Sequence, residues 1–165
     1  MWPKEQHDSV LPSSKKPTEA EKSTCFGRDI MRTVFLSIAA LALLQSFLVL
    51  NIAFMRMRYK VFFGAPEDPE NPLFRARLAH SNAAEFGPIL CVLMLSMELY
   101  GHQFALMPAV YGSIVLCRVC AAIGLLNFSP AKPNALRAIG LCGTLAAIVG
   151  LALVLIFQAS PALVK

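Results

Sequence analysis

The sequence predicts an all-α, polytopic membrane protein, a bundle of four transmembrane helices. Two observations carry that expectation. Of the 165 residues, 56% are hydrophobic, a balance too apolar for a soluble domain of this size. Four apolar stretches, at about Thr33–Met55, Leu73–Leu99, Phe104–Leu126 and Leu136–Phe157, are each long enough to cross a hydrocarbon core of ~30 Å at about 1.5 Å per residue. A third observation bears on function. Phe74 to Pro88, FRARLAHSNAAEFGP, carries Arg75, Arg77, His80, Asn82 and Glu85 and runs unbroken into the apolar Ile89–Tyr100. A charge at the bilayer centre costs about 2.5–3.5 kcal/mol on insertion scales, so these groups must face protein, water or a ligand. They are expected to form one wall of a polar pocket opening at one membrane face.

The chain divides into a polar tail over 1–32, a four-helix domain over 33–158 and a short tail over 159–165. Residues 1–30 are rich in Pro, Ser, Lys and Glu without apolar periodicity, which predicts disorder. No apolar h-region or small-residue cleavage site precedes Thr33, so the first span is expected to be an uncleaved anchor. That span ends in Arg56, Met57, Arg58, Tyr59 and Lys60, cations with an aromatic at the interface. Gln45 and Asn51 lie inside it and need partners on other helices. The loop VFFGAPEDPEN then breaks regular structure at Gly64, Pro66 and Pro69.

Asn71-Pro72 reads as an N-cap with proline at the first helical position. The second helix spans about 40 Å, more than the bilayer core, so its first turns sit at the headgroups. Pro88 frees the carbonyl of Ala84 and predicts a kink just beyond Glu85. After Gly101-His102, the third span holds a single charge, Arg118, about 12 Å from its end. The turn Asn127–Pro133 leads to Asn134, a second N-cap, with Arg137 in the first turn of the fourth helix.

Cys25, Cys91, Cys117, Cys120 and Cys142 suggest packing rather than chemistry. The C-x-x-C at 117–120 lies in an apolar helix without a second ligand pair, so no metal is expected. The formal net charge of +5 sits in loops and helix ends without a basic, aromatic-interleaved stripe. It reports topology rather than a nucleic-acid partner. Arg56, Arg58, Lys60, Arg75, Arg77, Arg118, Lys132 and Arg137 share one side of the bundle, whereas the other has Arg28, Arg32, His102 and Lys165. The bias predicts a cytoplasmic cationic face with both termini across the membrane.

At 100° per residue, Arg75 and Asn82 are about 20° apart on helix two, and Glu85 is about 80° from Arg75, so the three form one stripe. Arg77, about 160° from Arg75, snorkels to the interface. Glu85 and Arg118 lie deeper than positive-inside anchoring explains. Either they are a structural salt bridge between helices or they belong to a ligand site. In the second case, the N-termini of helices two and four face the same leaflet and reinforce an anion site. The ligand would be anionic, with an amine or amide for Glu85 and Asn82.

These residues resemble the membrane-associated proteins in eicosanoid and glutathione metabolism, the MAPEG family. The similarity lies in A-H-x-N-x-x-E-x-x-P (Ala79, His80, Asn82, Glu85, Pro88), RMRYKVFFG after helix one, Arg118 in helix three, and R-x-x-G (Arg137, Gly140) opening helix four. It covers about residues 33–157 and looks nearest to the short, bacterial-type branch. The resemblance implies a homotrimer with glutathione, as co-substrate, bound between neighbouring subunits near the cytoplasmic face. Asn82 and Glu85 would hold its peptide backbone and amine, with His80 in the same set, and Arg56, Arg75 and Arg118 would bind its carboxylates or brace the site. Arg137 resembles the arginine that stabilises the thiolate. The second substrate would be a lipophilic electrophile or lipid hydroperoxide arriving from membrane lipid. The membrane would be the endoplasmic reticulum or another endomembrane in a eukaryote, and the inner membrane in a bacterium.

The sequence departs from the family pattern at three places. Leu78 stands where many members have arginine, with Arg75 one turn earlier as a substitute. Ala121 and Leu125 stand where many have histidine and tyrosine. A glutathione-dependent transferase or peroxidase therefore competes with a non-catalytic scaffold or lipid-binding protein on the same fold. A small transporter using Glu85 and Arg118 as a relay is a third reading.

Overall fold

The computed structural model describes residues 19–64, 67–100, 105–129 and 131–160, with only the helical backbone over 19–30. Four helices follow in order: α1 (Glu19–Tyr59), α2 (Pro72–Leu99), α3 (Met107–Asn127) and α4 (Ala135–Ala159). Among the described residues there is no strand, and all four helices are long and apolar enough to span a membrane. α1 starts at Glu19, inside the segment expected to be disordered, so residues 19–32 are helical. Residues 1–18 of that tail, Pro66 of the loop, the Gly101-His102 turn and residues 161–165, including Lys165, lie outside the described residues.

Both expected N-caps form. The Asn71 side chain accepts from the Leu73 N–H at 2.9 Å with Pro72 at the helix start, and Asn134 accepts from the Leu136 N–H at 2.9 Å. Each satisfies one of the donors that a helix start leaves unpaired. α2 continues through Pro88 to Leu99. α1 ends in a Schellman arrangement, with Val61 N–H donating to Arg56 O at 3.1 Å and Lys60 N–H to Met57 O at 3.3 Å. Lys60 holds the left-handed position there, at φ 53°. A β-carbon is disfavoured at such a position, so Lys60→Gly is expected to stabilise the fold by about 0.5–1 kcal/mol. A raised thermal midpoint in mild detergent, followed by circular dichroism, checks this.

Among the described residues every pair of helices packs except α1 with α4. One apolar cluster includes Val34, Leu41, Leu90, Met94, Tyr111 and Leu151. A second, built from Leu48, Ala79, Ala83, Ala122 and Leu125, lies where α1 and α3 end and α2 begins. Its three alanines let α2 and α3 approach closely there, as small residues do between membrane helices. Leu36, Leu43, Leu50 and Phe157 face outward, 67–73% exposed, a surface suited to acyl chains.

The α3/α4 contact is a seam of glycines. A β-carbon on Gly140 would lie 2.5 Å from Ala121 N and 2.7 Å from Cys117 O. One on Gly124 would lie 2.8 Å from Arg137 N, and one on Gly143 would collide with Cys117 Sγ. Gly140 of the R-x-x-G thus has a packing reason. Without a side chain there, α4 lies directly on the α3 backbone.

Candidate functional site

Among the described residues Arg118 is the most deeply buried cation, 2% exposed on α3. Its Nη2 donates to Asn82 O at 2.9 Å and to Asn82 Oδ1 at 2.8 Å. The guanidinium also sits over the Phe86 ring, with Cζ 5.3 Å from the centroid. Hydrogen bonds to a charged group contribute about 1.5–3 kcal/mol, and a ring face adds roughly 0.5–2 kcal/mol when desolvated. Together these offset much of the cost of burying the charge. The Glu85–Arg118 bridge weighed from the sequence does not form within the chain. Glu85 is exposed and accepts from Ser81 Oγ–H at 3.2 Å. The physical reason is helix rotation: Asn82 and Glu85 are about 60° apart on α2, and the turn facing α3 presents Asn82.

On the other side of Asn82 is a small cavity of about 70 Å³ lined by Leu78, Asn82, Ala121, Leu125, Arg137 and Leu141. Arg137 reaches it from the first turn of α4. That turn is set by the Asn134 cap and by Gly124, whose missing side chain lets the Arg137 backbone rest on α3. Two of the polar residues singled out from the sequence, Asn82 and Arg137, thus share one cavity, and Asn82 is also the residue that Arg118 hydrogen-bonds. The three departures from the family pattern, Leu78, Ala121 and Leu125, form its other walls together with Leu141. Those positions converge in space, and here they are apolar.

The remaining candidates lie elsewhere in the single chain. His80 Nδ1 is 2.9 Å from Gln45 Nε2, which supplies the interhelical partner expected for Gln45. Arg75 donates through Nη2 to Glu70 O at 3.2 Å and is not on the cavity wall, so within the chain it does not take the place that Leu78 leaves. Arg56 is half-buried at the end of α1, and both it and Arg75 have a buried Nε without a hydrogen bond. Cys117 packs against Gly143, in keeping with a packing role.

Sequence reasoning missed two features. Phe86 carries the Arg118 guanidinium, a role that i+4 spacing from Asn82 could have suggested. At the far end of the bundle, Glu98 is 7% exposed and accepts from Tyr111 Oη–H at 3.0 Å. No local motif marks that pair.

Four membrane-length helices define an integral, multi-pass membrane protein, with a small cleft between α2, α3 and α4 that holds Asn82 and Arg137. The model of the MAPEG family matches residues 34–157, most of the chain, and the protein belongs to that family. Its members are glutathione transferases, peroxidases or related proteins. No curated protein and no solved structure matches the chain.

Proposed function

We propose that this protein is a membrane-bound glutathione-dependent transferase or peroxidase acting on lipophilic electrophiles or lipid hydroperoxides. The observation that supports this most directly is the cavity shared by Asn82 and Arg137. Arg137 holds the thiolate. An unperturbed thiol titrates near about 8.5, and a guanidinium in a poorly hydrated cleft favours the anion, which is the nucleophile. Asn82 holds the peptide backbone of glutathione, while Arg118 braces Asn82. A cavity of about 70 Å³ takes only the thiol end of the tripeptide. The rest lies along α2 toward Glu85, with His80, Arg56 and Arg75 supplied along the same leaflet.

Glu85 supports a homotrimer in this reading. It is a carboxylate inside a membrane span, exposed in the single chain, and lipid is a costly neighbour for it. A neighbouring subunit covers it and closes the site between two copies. The apolar walls Leu78, Ala121 and Leu125 favour the second reading, a non-catalytic lipid-binding protein on the same fold.

One experiment separates the two. Purified protein saturated with glutathione is expected to show thiolate absorbance in the ultraviolet near neutral pH, and Arg137→Ala is expected to abolish it. A folded wild type without that signal removes the enzyme reading and leaves the lipid-binding one.

A further inference from the structure

A second and larger cavity has Arg118 itself in its lining. It measures about 290 Å³, close to the lower end of the ~300–1,000 Å³ range of small-molecule sites, and is set between α1 and α2. Its walls are almost wholly apolar, among them Ile38, Leu41, Leu44, Pro88 and Cys91. The polar side chains lining it are Gln45 and Arg118. Each carries a buried polar atom with no hydrogen bond, Gln45 Oε1 and Arg118 Nη1. Buried polar groups are nearly always paired, so two orphans on one cavity wall point to a missing partner.

The chemistry of that partner follows from charge and shape. Arg118 is 2% exposed, and its partners, Asn82 and the Phe86 ring, are both neutral. A cation so deeply buried is stabilised by an anion, and a carboxylate accepts a guanidinium N–H well. Gln45 lies beside it; with its amide turned over, Oε1 accepts from His80 Nδ1–H and the NH2 faces the cavity as a second donor to the carboxylate. The cavity extends from Gln45 and Ala83 at this polar end to Ile38 and Cys91 at the apolar one. That is seven residues of α1, about 10 Å along the helix. Ala42 on its α1 rim is exposed, which gives an acyl chain a lateral way out on the side away from Glu85's helix. The volume admits one chain, not two.

We propose that the α1/α2 cavity is a binding site for a long-chain carboxylate, its head on Arg118 and Gln45 and its tail directed toward Ile38 and Cys91. The site is separate from the α2/α3/α4 cleft and requires no glutathione.

Gly87 provides the test. It lines the cavity, and a β-carbon there meets nothing within 4 Å, so the side chain of Gly87→Leu starts in open space at the cavity wall and competes with a ligand for it. Radiolabelled palmitate is titrated against purified protein in non-ionic detergent without glutathione, beside palmitate methyl ester. The acid is expected to saturate at one per chain. The ester, which cannot present an anion, is expected to bind about tenfold or more weakly, as is the acid to Gly87→Leu. Arg137→Ala is expected to bind the acid as wild type does, and a two-chain anionic phospholipid is expected not to displace it. Equal binding of acid and ester overturns the proposal, and that comparison needs no variant. Unchanged binding in folded Gly87→Leu, displacement by the phospholipid, or loss of binding in Arg137→Ala overturns it too. The last would move the acid to the α2/α3/α4 cleft.

Discussion

Arg118→Ala is expected to destabilise the protein by about 2–4 kcal/mol. Two opposing effects set that figure. The substitution removes both hydrogen bonds to Asn82 and the contact with Phe86, and leaves a void where a large side chain was 2% exposed. Those losses sum to more than 4 kcal/mol on ordinary scales. Relief from holding a charge in a dry interior returns part of it. The asymmetry between the partners is diagnostic. Asn82→Ala leaves the guanidinium buried without its acceptor side chain and is expected to cost at least as much as Arg118→Ala. Arg118→Met keeps the stem packing and drops the charge, so it is expected to cost less than either. Combining it with Asn82→Leu is expected to fall short of the summed single losses by about 1 kcal/mol or more. Denaturation midpoints of these variants and of Asn82→Leu alone, in mild detergent, check the set. Strict additivity would mean that Arg118 and Asn82 do not hold each other.

Gly140→Leu is expected to do still greater damage. A β-carbon at this position lies 2.5 Å from Ala121 N and 2.7 Å from both Ala121 Cβ and Cys117 O. Two of those atoms are backbone inside a helix and cannot swing aside. Overpacking costs typically about 1–3 kcal/mol where side chains can adjust, and more where the helices must separate. Separation also has a functional consequence. Arg137 precedes Gly140 by one turn, and its cavity is walled by Ala121, the residue that the new side chain strikes. Gly140→Leu is therefore expected to lose the glutathione thiolate signal even at temperatures where circular dichroism shows it helical. Gly150→Leu is the matched control, since a β-carbon on Gly150 meets nothing within 4 Å. It is expected to match wild type in signal and to gain slightly in stability, because glycine costs about 0.5–1 kcal/mol in a helix interior. A Gly140→Leu protein with a wild-type midpoint would mean that the α3/α4 seam is looser than its glycines imply.

Much of this was legible in the residues alone, for a physical reason. A bilayer offers no hydrogen bonds, so a span must be helical, and every polar group within it must have a partner. That constraint placed the four helices, started α2 at Asn71 and α4 at Asn134, and marked Gln45, Asn82, Arg118 and Arg137 as groups requiring company. It was weaker for α1, whose helix reaches back to Glu19 where composition alone suggested disorder. Periodicity sees the apolar face of a helix but not a polar extension of it.

Which partner each group takes was decided only by the packing. Asn82 and Glu85 are about 60° apart on one helix, so the sequence assigns both to the same stripe. A modest rotation of α2 against α3 brings Asn82 to Arg118 and leaves Glu85 outside. The convergence of Leu78, Ala121 and Leu125 around Arg137 has the same origin, as does the Glu98–Tyr111 pair at the far end. The amino-acid order sets what each helix must bury. Contacts between residues dozens of positions apart depend on helix rotation and spacing, and these follow from where glycine and alanine let two backbones meet.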